Sequence, residues 1–117
     1  MGVVFRAMDE RLNREVAVKV LPSVGQADDG ARKRFRAEAA TLVRLNHPNI
    51  ATLFDFGIEM VDGREIDYLV MELIPGITLD AMIARGPLPA DESLSLAIQM
   101  MKGLTAAHNQ NVLDRDL

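Results

Sequence analysis

Lys19 and Glu38 are the two residues of this sequence whose types and spacing could do chemistry together. Lys19 lies inside Val16-Ala17-Val18-Lys19-Val20-Leu21, an aliphatic, β-branched run that reads as a strand. Val16, Val18 and Val20 fall on one face of it; Ala17, Lys19 and Leu21 fall on the other. An ammonium between apolar neighbours in mid-strand needs an anion beside it. Further on, Phe35, Glu38, Ala39, Leu42 and Leu45 recur at helical spacing. Glu38 is one turn from both Phe35 and Leu42, so it shares their inward face. A cation on a strand and an anion on the following helix thus invite an ion pair. The commoner outcome for any single Lys and Glu is a snorkelling lysine and an unrelated helix carboxylate, and these two residues alone leave both readings open.

The elements that must position the pair follow from pattern and punctuation. Gly2 to Met8 alternates as a strand, and Asp9 to Glu15 is polar enough to be the hairpin into the Lys19 strand. Pro22 ends that strand, and Gly25 to Gly30 is loop. The Glu38 helix is expected from Ala31 to Leu45, stopping before His47-Pro48, because a proline drives its predecessor out of helical geometry. Ile50 to Ile58 is expected to be a strand with Leu53 and Asp55 opposite Phe54 and Phe56. Glu59 to Glu65 is the turn, since Asp62-Gly63 tolerates positive φ, and Asp67 to Leu73 is the next strand. Pro75-Gly76 breaks it, Thr78 caps a short helix to Ala84, and Gly86 to Pro89 links onward. A long helix from Asp91 to Asn109 carries Leu94, Ala97, Ile98, Met101, Leu104, Thr105 and His108 on one face, with Asp91 and Glu92 complementing its dipole.

Composition bounds the function. A chain of 117 residues holds one small core. The formal net charge of -4 argues against a nucleic-acid surface, and the Arg32, Lys33, Arg34 and Arg36 cluster reads as a solvated helix face. The absence of cysteine excludes disulfides and Cys-based metal sites and fits a reducing cytoplasm. There is no apolar run of membrane-spanning length and no basic-then-apolar leader. His47 reads as a structural hydrogen-bonding residue of its loop, and His108 as a packed histidine near a helix end.

Taken in order, six segments resemble the protein kinases, of the bacterial relatives of eukaryotic serine/threonine kinases. Gly2-Val3-Val4 matches the last G-x-V of the glycine-rich loop. Val16-Ala17-Val18-Lys19 matches the V-A-I-K strand, and Glu38 takes the place of its helical partner. His47-Pro48-Asn49-Ile50 resembles the loop after that helix. Met71-Glu72-Leu73-Ile74-Pro75-Gly76 resembles the hinge, and Asp114-Arg115-Asp116-Leu117 the start of the catalytic loop. Each motif is weak; six in order are specific.

The resemblance implies an α+β fold: a kinase small lobe, an antiparallel sheet plus one long helix, over 1–74, then the first helices of the large lobe over 75–117. It implies ATP and protein substrates as partners, in the cytoplasm. Gly2 would belong to the nucleotide loop. Val4 and Ala17 would cover the adenine, and Met71 would stand behind it. The backbone of Glu72 and Ile74 would offer the hinge hydrogen bonds, side-chain identity mattering little there. Lys19, held by Glu38, would neutralise the α- and β-phosphates, and Asp116 would accept the substrate hydroxyl's proton. Three departures qualify this. Only the final glycine of the loop is present, Asp114 stands where the family has histidine, and the segments carrying the Mg2+ ligands do not follow Leu117. The expectation for these residues alone is an incomplete kinase that does not transfer phosphate, with a pseudokinase or interaction module as the alternative. The open apolar face of the long helix is expected to favour association.

Overall fold

The computed structural model describes residues 3–21 and 29–112. The order is β1 (Val3–Asp9), β2 (Arg14–Leu21), α1 (Asp29–Arg44), β3 (Leu53–Val61), β4 (Arg64–Glu72), α2 (Leu79–Ala84) and α3 (Ala90–Asn109). The strands form one antiparallel sheet in the order β1-β2-β4-β3, so the Lys19 strand is central. β2 is buried on both faces at Val16 and Ala17, and among the described residues the other buried apolar side chains are Ala39, Leu53 and Val112.

Turn chemistry closes both hairpins. Asp62 and Gly63 have φ of 51° and 78°, the two left-handed positions of a two-residue loop whose twist matches the strands it joins. The turn is therefore these two residues, and the strands extend past the expected ends at Ile58 and Asp67 to Val61 and Arg64. At the first hairpin the Asp9 carboxylate accepts from the amides of Arg11 and Leu12, and Asn13 takes φ 50°.

One expectation about faces is corrected. Leu53 opposes Met71, but Asp55 opposes Val70, so a bulge absorbs Phe54. Leu53 consequently shares its face with Phe56 rather than with Asp55. The Phe54 ring lies 3.8 Å beneath the Arg14 guanidinium, on the other face.

The helices stop as their caps dictate. Thr78 accepts from the Ala81 amide at 3.1 Å and starts α2 as expected. At the end of α3 the Asn111 amide donates to the His108 carbonyl at 2.9 Å and the Val112 amide to Ala107 at 3.0 Å. With Asn111 at φ 61° this is a Schellman motif, and buried Val112 supplies its apolar contact. His108 is exposed in that last turn, not packed. The face of α3 that holds Leu94, Ile98 and Met101 is open, with Leu94 and Met101 63 % and 65 % exposed; the helix is instead seated through Gly103.

Candidate functional site

Cross-strand register builds the candidate site. Residues directly opposed in an antiparallel ladder point to the same side. Val4 opposes Lys19 and Arg6 opposes Ala17; Lys19 and Ala17 in turn oppose Leu69 and Met71. Val4, Ala17, Lys19 and Met71 therefore share one face. On it Ala17 is buried, Lys19 and Met71 are half-buried, and Val4 is open. Arg6, on the same face, is held by the Glu15 carboxylate in a two-pronged pair at 2.7 Å.

α1 lies on this side of the sheet, against β3. Its stripe is Arg32, Phe35, Ala39 and Leu42, of which Ala39 is buried and the others half-buried. Arg32 is not part of a solvated face with Lys33, Arg34 and Arg36, which are exposed as expected. It reaches down to β4, where Nη1 donates to Glu65 Oε2 at 2.8 Å and Nη2 to Asp67 Oδ1 at 3.5 Å. The Glu65 hydrogen bond first, and the Asp67 charge next, raise the guanidinium pKa above its ordinary value. A raised folded value means the contact is complete below the ordinary arginine pKa and lost only above it, so the arginine's own titration brings no pH dependence near neutrality.

Glu38 is half-buried on α1. The ion pairs among the described residues are Arg6–Glu15, Arg14–Asp9, Arg32–Glu65 and Arg32–Asp67. The expected Lys19–Glu38 pair is not one of them: Lys19 lies on β2 and Glu38 on α1, which packs against β3. Gly2 and Asp116 lie outside the described residues.

The segment after Met71 carries a side chain whose role the sequence did not reveal. Glu72 donates its amide to the Thr52 carbonyl at 2.8 Å, and its carboxylate accepts from the Thr52 amide at 3.1 Å. Both backbone groups of Thr52 are thus held by one residue, so the identity of Glu72 matters where it was expected not to. Ile74, beyond it, is 60 % exposed.

The loop after α1 is fixed by His47, as expected: Nδ1 accepts from the Asn49 amide at 3.0 Å, and its carbonyl accepts from the Ile50 amide at 3.1 Å. This loop touches α3 so closely that a Cβ at Gly103 would stand 2.7 Å from the Asn49 carbonyl oxygen. Beside that contact an open groove of about 630 Å³ runs along α3, lined by His47, Leu94, Ile98, Met101, Lys102 and Thr105. It is apart from the Lys19 face. Among the described residues no group of three or more His, Asp or Glu could hold a metal ion, and no helix is long and apolar enough to cross a membrane.

Comparison with known proteins places this geometry. The protein kinase domain family matches residues 1–117. The chain is 42 % identical over 119 residues to the serine/threonine-protein kinase PknA of Mycobacterium tuberculosis, covering all of this chain and 28 % of PknA. It is 38 % identical over 118 residues to the serine/threonine-protein kinase PrkC of Bacillus subtilis, of which it covers 18 %. The crystal structure of the M. tuberculosis PknI kinase domain superposes with a TM-score of 0.82 at 32 % identity, over all of this chain and 46 % of that one. The four-stranded antiparallel sheet with its helices is the protein kinase fold, and the chain belongs to the protein kinase domain family.

Proposed function

We propose that this chain forms the nucleotide-gripping part of an ATP-dependent protein serine/threonine kinase, with a small lobe over 1–74 and the start of a helical lobe over 75–117. The observation that carries the reading is that Val4, Ala17, Lys19 and Met71 share one sheet face, with α1 on the same side. Ala17 presents a surface small enough for a flat ring to approach the sheet, Val4 covers the ring from β1, and Met71 closes its rear. Because the Glu72 amide is committed to Thr52, Glu72 can offer the adenine only its carbonyl, and Ile74 offers backbone from the exposed segment beyond. Lys19 neutralises the α- and β-phosphates and is braced by Glu38 when α1 closes on it. Gly2 contributes to the phosphate-covering loop, and Asp116 takes the proton of the protein hydroxyl. Mg2+ would supply charge neutralisation at the phosphates when bound; among the described residues no group of three or more His, Asp or Glu comes together to hold it. The setting proposed is the cytoplasm, with protein substrates.

A second reading, a pseudokinase that binds nucleotide or a partner without transfer, is favoured by Asp114 at the position of the family's histidine. One experiment separates them. In the intact protein carrying this chain, Lys19→Met is expected to weaken ATP binding and to reduce phosphorylation of a protein substrate by about 10²-fold or more. Unchanged phosphorylation in Lys19→Met refutes the role given to Lys19. ATP binding by the wild type without any transfer favours the pseudokinase.

A further inference from the structure

The contact between Arg32 and the β4 carboxylates has no part in the phosphate grip just described, yet it ties α1, which carries Glu38, to the strand that pairs with the Lys19 strand. Asp67 opposes Leu21 across the β2–β4 ladder, and Leu69 opposes Lys19. Asp67 is thus on the Lys19 face, on a diagonal from Lys19, where side chains stand about 7–8 Å apart. Arg32 shares the sheet-facing stripe of α1 with Phe35, Ala39 and Leu42, so it points at the sheet whenever that stripe does. Its bonds to Glu65 and Asp67 fix two coordinates: the rotation of α1 about its own axis and its height along β4. Glu38 follows on the same rigid helix, about 9 Å further along at the usual rise. The apolar stripe defines neither coordinate sharply, because among the described side chains of α1 only Ala39 is buried. The Asp67 end of the contact is partly shielded, with side-chain exposures of 25 % for Arg32 and 15 % for Asp67, while the shorter bond ends on Glu65, which is 54 % exposed and open to salt screening.

We infer that Arg32 is a positioning residue: by gripping Glu65 and Asp67 it holds α1 at the rotation and height from which Glu38 can brace Lys19. The inference rests on the nucleotide reading of Lys19, and its test separates the two. ATP affinity is measured in the intact protein, by titration with a fluorescent ATP analogue, for wild type, Arg32→Met, Lys19→Met and the double variant, with circular dichroism reporting folding. Arg32→Met is expected to weaken binding about fivefold when Lys19 is present, the lower end of coupling between sites. It should change nothing further when Lys19 is already methionine, because the effect passes through Lys19. Arg32→Lys, which keeps the charge but not the two-pronged donor, should recover part of the loss.

An Arg32→Met protein that binds ATP as the wild type does, while Lys19→Met binds weakly, overturns the inference and leaves the nucleotide reading standing. Equal weakening by Arg32→Met in both Lys19 backgrounds shows a purely structural role and also overturns it. Unchanged binding in Lys19→Met, or no binding by the wild type, removes the nucleotide reading and the inference with it. If Arg32→Met does not fold, Glu65→Ala, which removes the acceptor of the 2.8 Å bond at a half-exposed carboxylate, takes its place in the same cycle with a smaller loss expected.

Discussion

Replacing Gly103 by alanine should reverse the usual effect of that substitution. In an open helix interior alanine is favoured over glycine by up to about 1 kcal/mol. Gly103 lies well inside α3, but a Cβ there would meet the Asn49 carbonyl oxygen at 2.7 Å, with the Asn49 carbonyl carbon and Cβ at 3.4 Å. Ordinary contact begins near 3.4 Å, so loop and helix must separate by several tenths of an ångström. The obstacle is backbone, and it cannot swing aside: His47 holds Asn49 and Ile50 from its ring and its carbonyl. Forcing extra volume against such a wall costs about 1–3 kcal/mol. Against the helical gain, the net expectation is a loss of up to about 2 kcal/mol, as much as several degrees in melting temperature. Thermal melts of the intact protein, followed by circular dichroism, measure it. Ser95→Ala, at an exposed site of the same helix, serves as the propensity control and should shift the melt little. His47→Ala should shrink the Gly103→Ala loss, because the loop can then yield. A Gly103→Ala protein with His47 intact that melts at or above the wild type refutes the reasoning.

Two further substitutions test how the site is framed. Asn111→Gly should stabilise the protein by a few tenths of a kcal/mol and Asn111→Val should destabilise it by about 1–2 kcal/mol, because φ 61° in the Schellman motif is strained for a β-branched residue; equal melts for the two would refute the cap. Glu72→Ala removes the acceptor of the Thr52 amide and should cost about 1 kcal/mol with faster hydrogen exchange at that amide, while Glu72→Gln, which keeps an acceptor oxygen, should behave nearly as the wild type; unaltered exchange in Glu72→Ala would show that the carboxylate holds nothing.

What the sequence disclosed and what it hid divide on physical lines. The side of the sheet that carries Lys19 was legible because parity is local: Ala17 and Lys19 are two apart, and a register slip of one residue would turn both away. The Asp62-Gly63 turn and the Thr78 cap were legible because each is a short-range rule with one dominant residue choice. The Phe54 bulge was not, since no glycine or proline marks it and the extra residue shows only when β3 is set beside β4. Arg32 was miscounted with its basic neighbours, although its spacing from Phe35 and Ala39 already put it on the buried stripe. Its partners are 33 and 35 residues away, and only the fold supplies them. Glu72 was hidden for a related reason, because attention to a backbone role says nothing about where the side chain goes. His108 fitted the apolar spacing of α3, but the helix is seated on another face, through Gly103.

The distribution of strength across these elements explains why one arginine can matter to a site it does not touch. Three antiparallel ladders bind the sheet, so Val4, Ala17, Lys19 and Met71 are fixed relative to one another by backbone hydrogen bonds. α1 has no such attachment. Its apolar contact is one buried alanine and a few half-buried side chains, each worth on the order of 1 kcal/mol. The guanidinium with its two carboxylates adds a directional contact to this, although its Glu65 end is open to solvent. On the sheet one ion pair would be lost among many bonds; on α1 it is a contact that carries direction toward β4. On the proposed nucleotide reading, the position of Glu38 is the adjustable coordinate of the site, and the carboxylates that set it, Glu65 and Asp67, sit on β4.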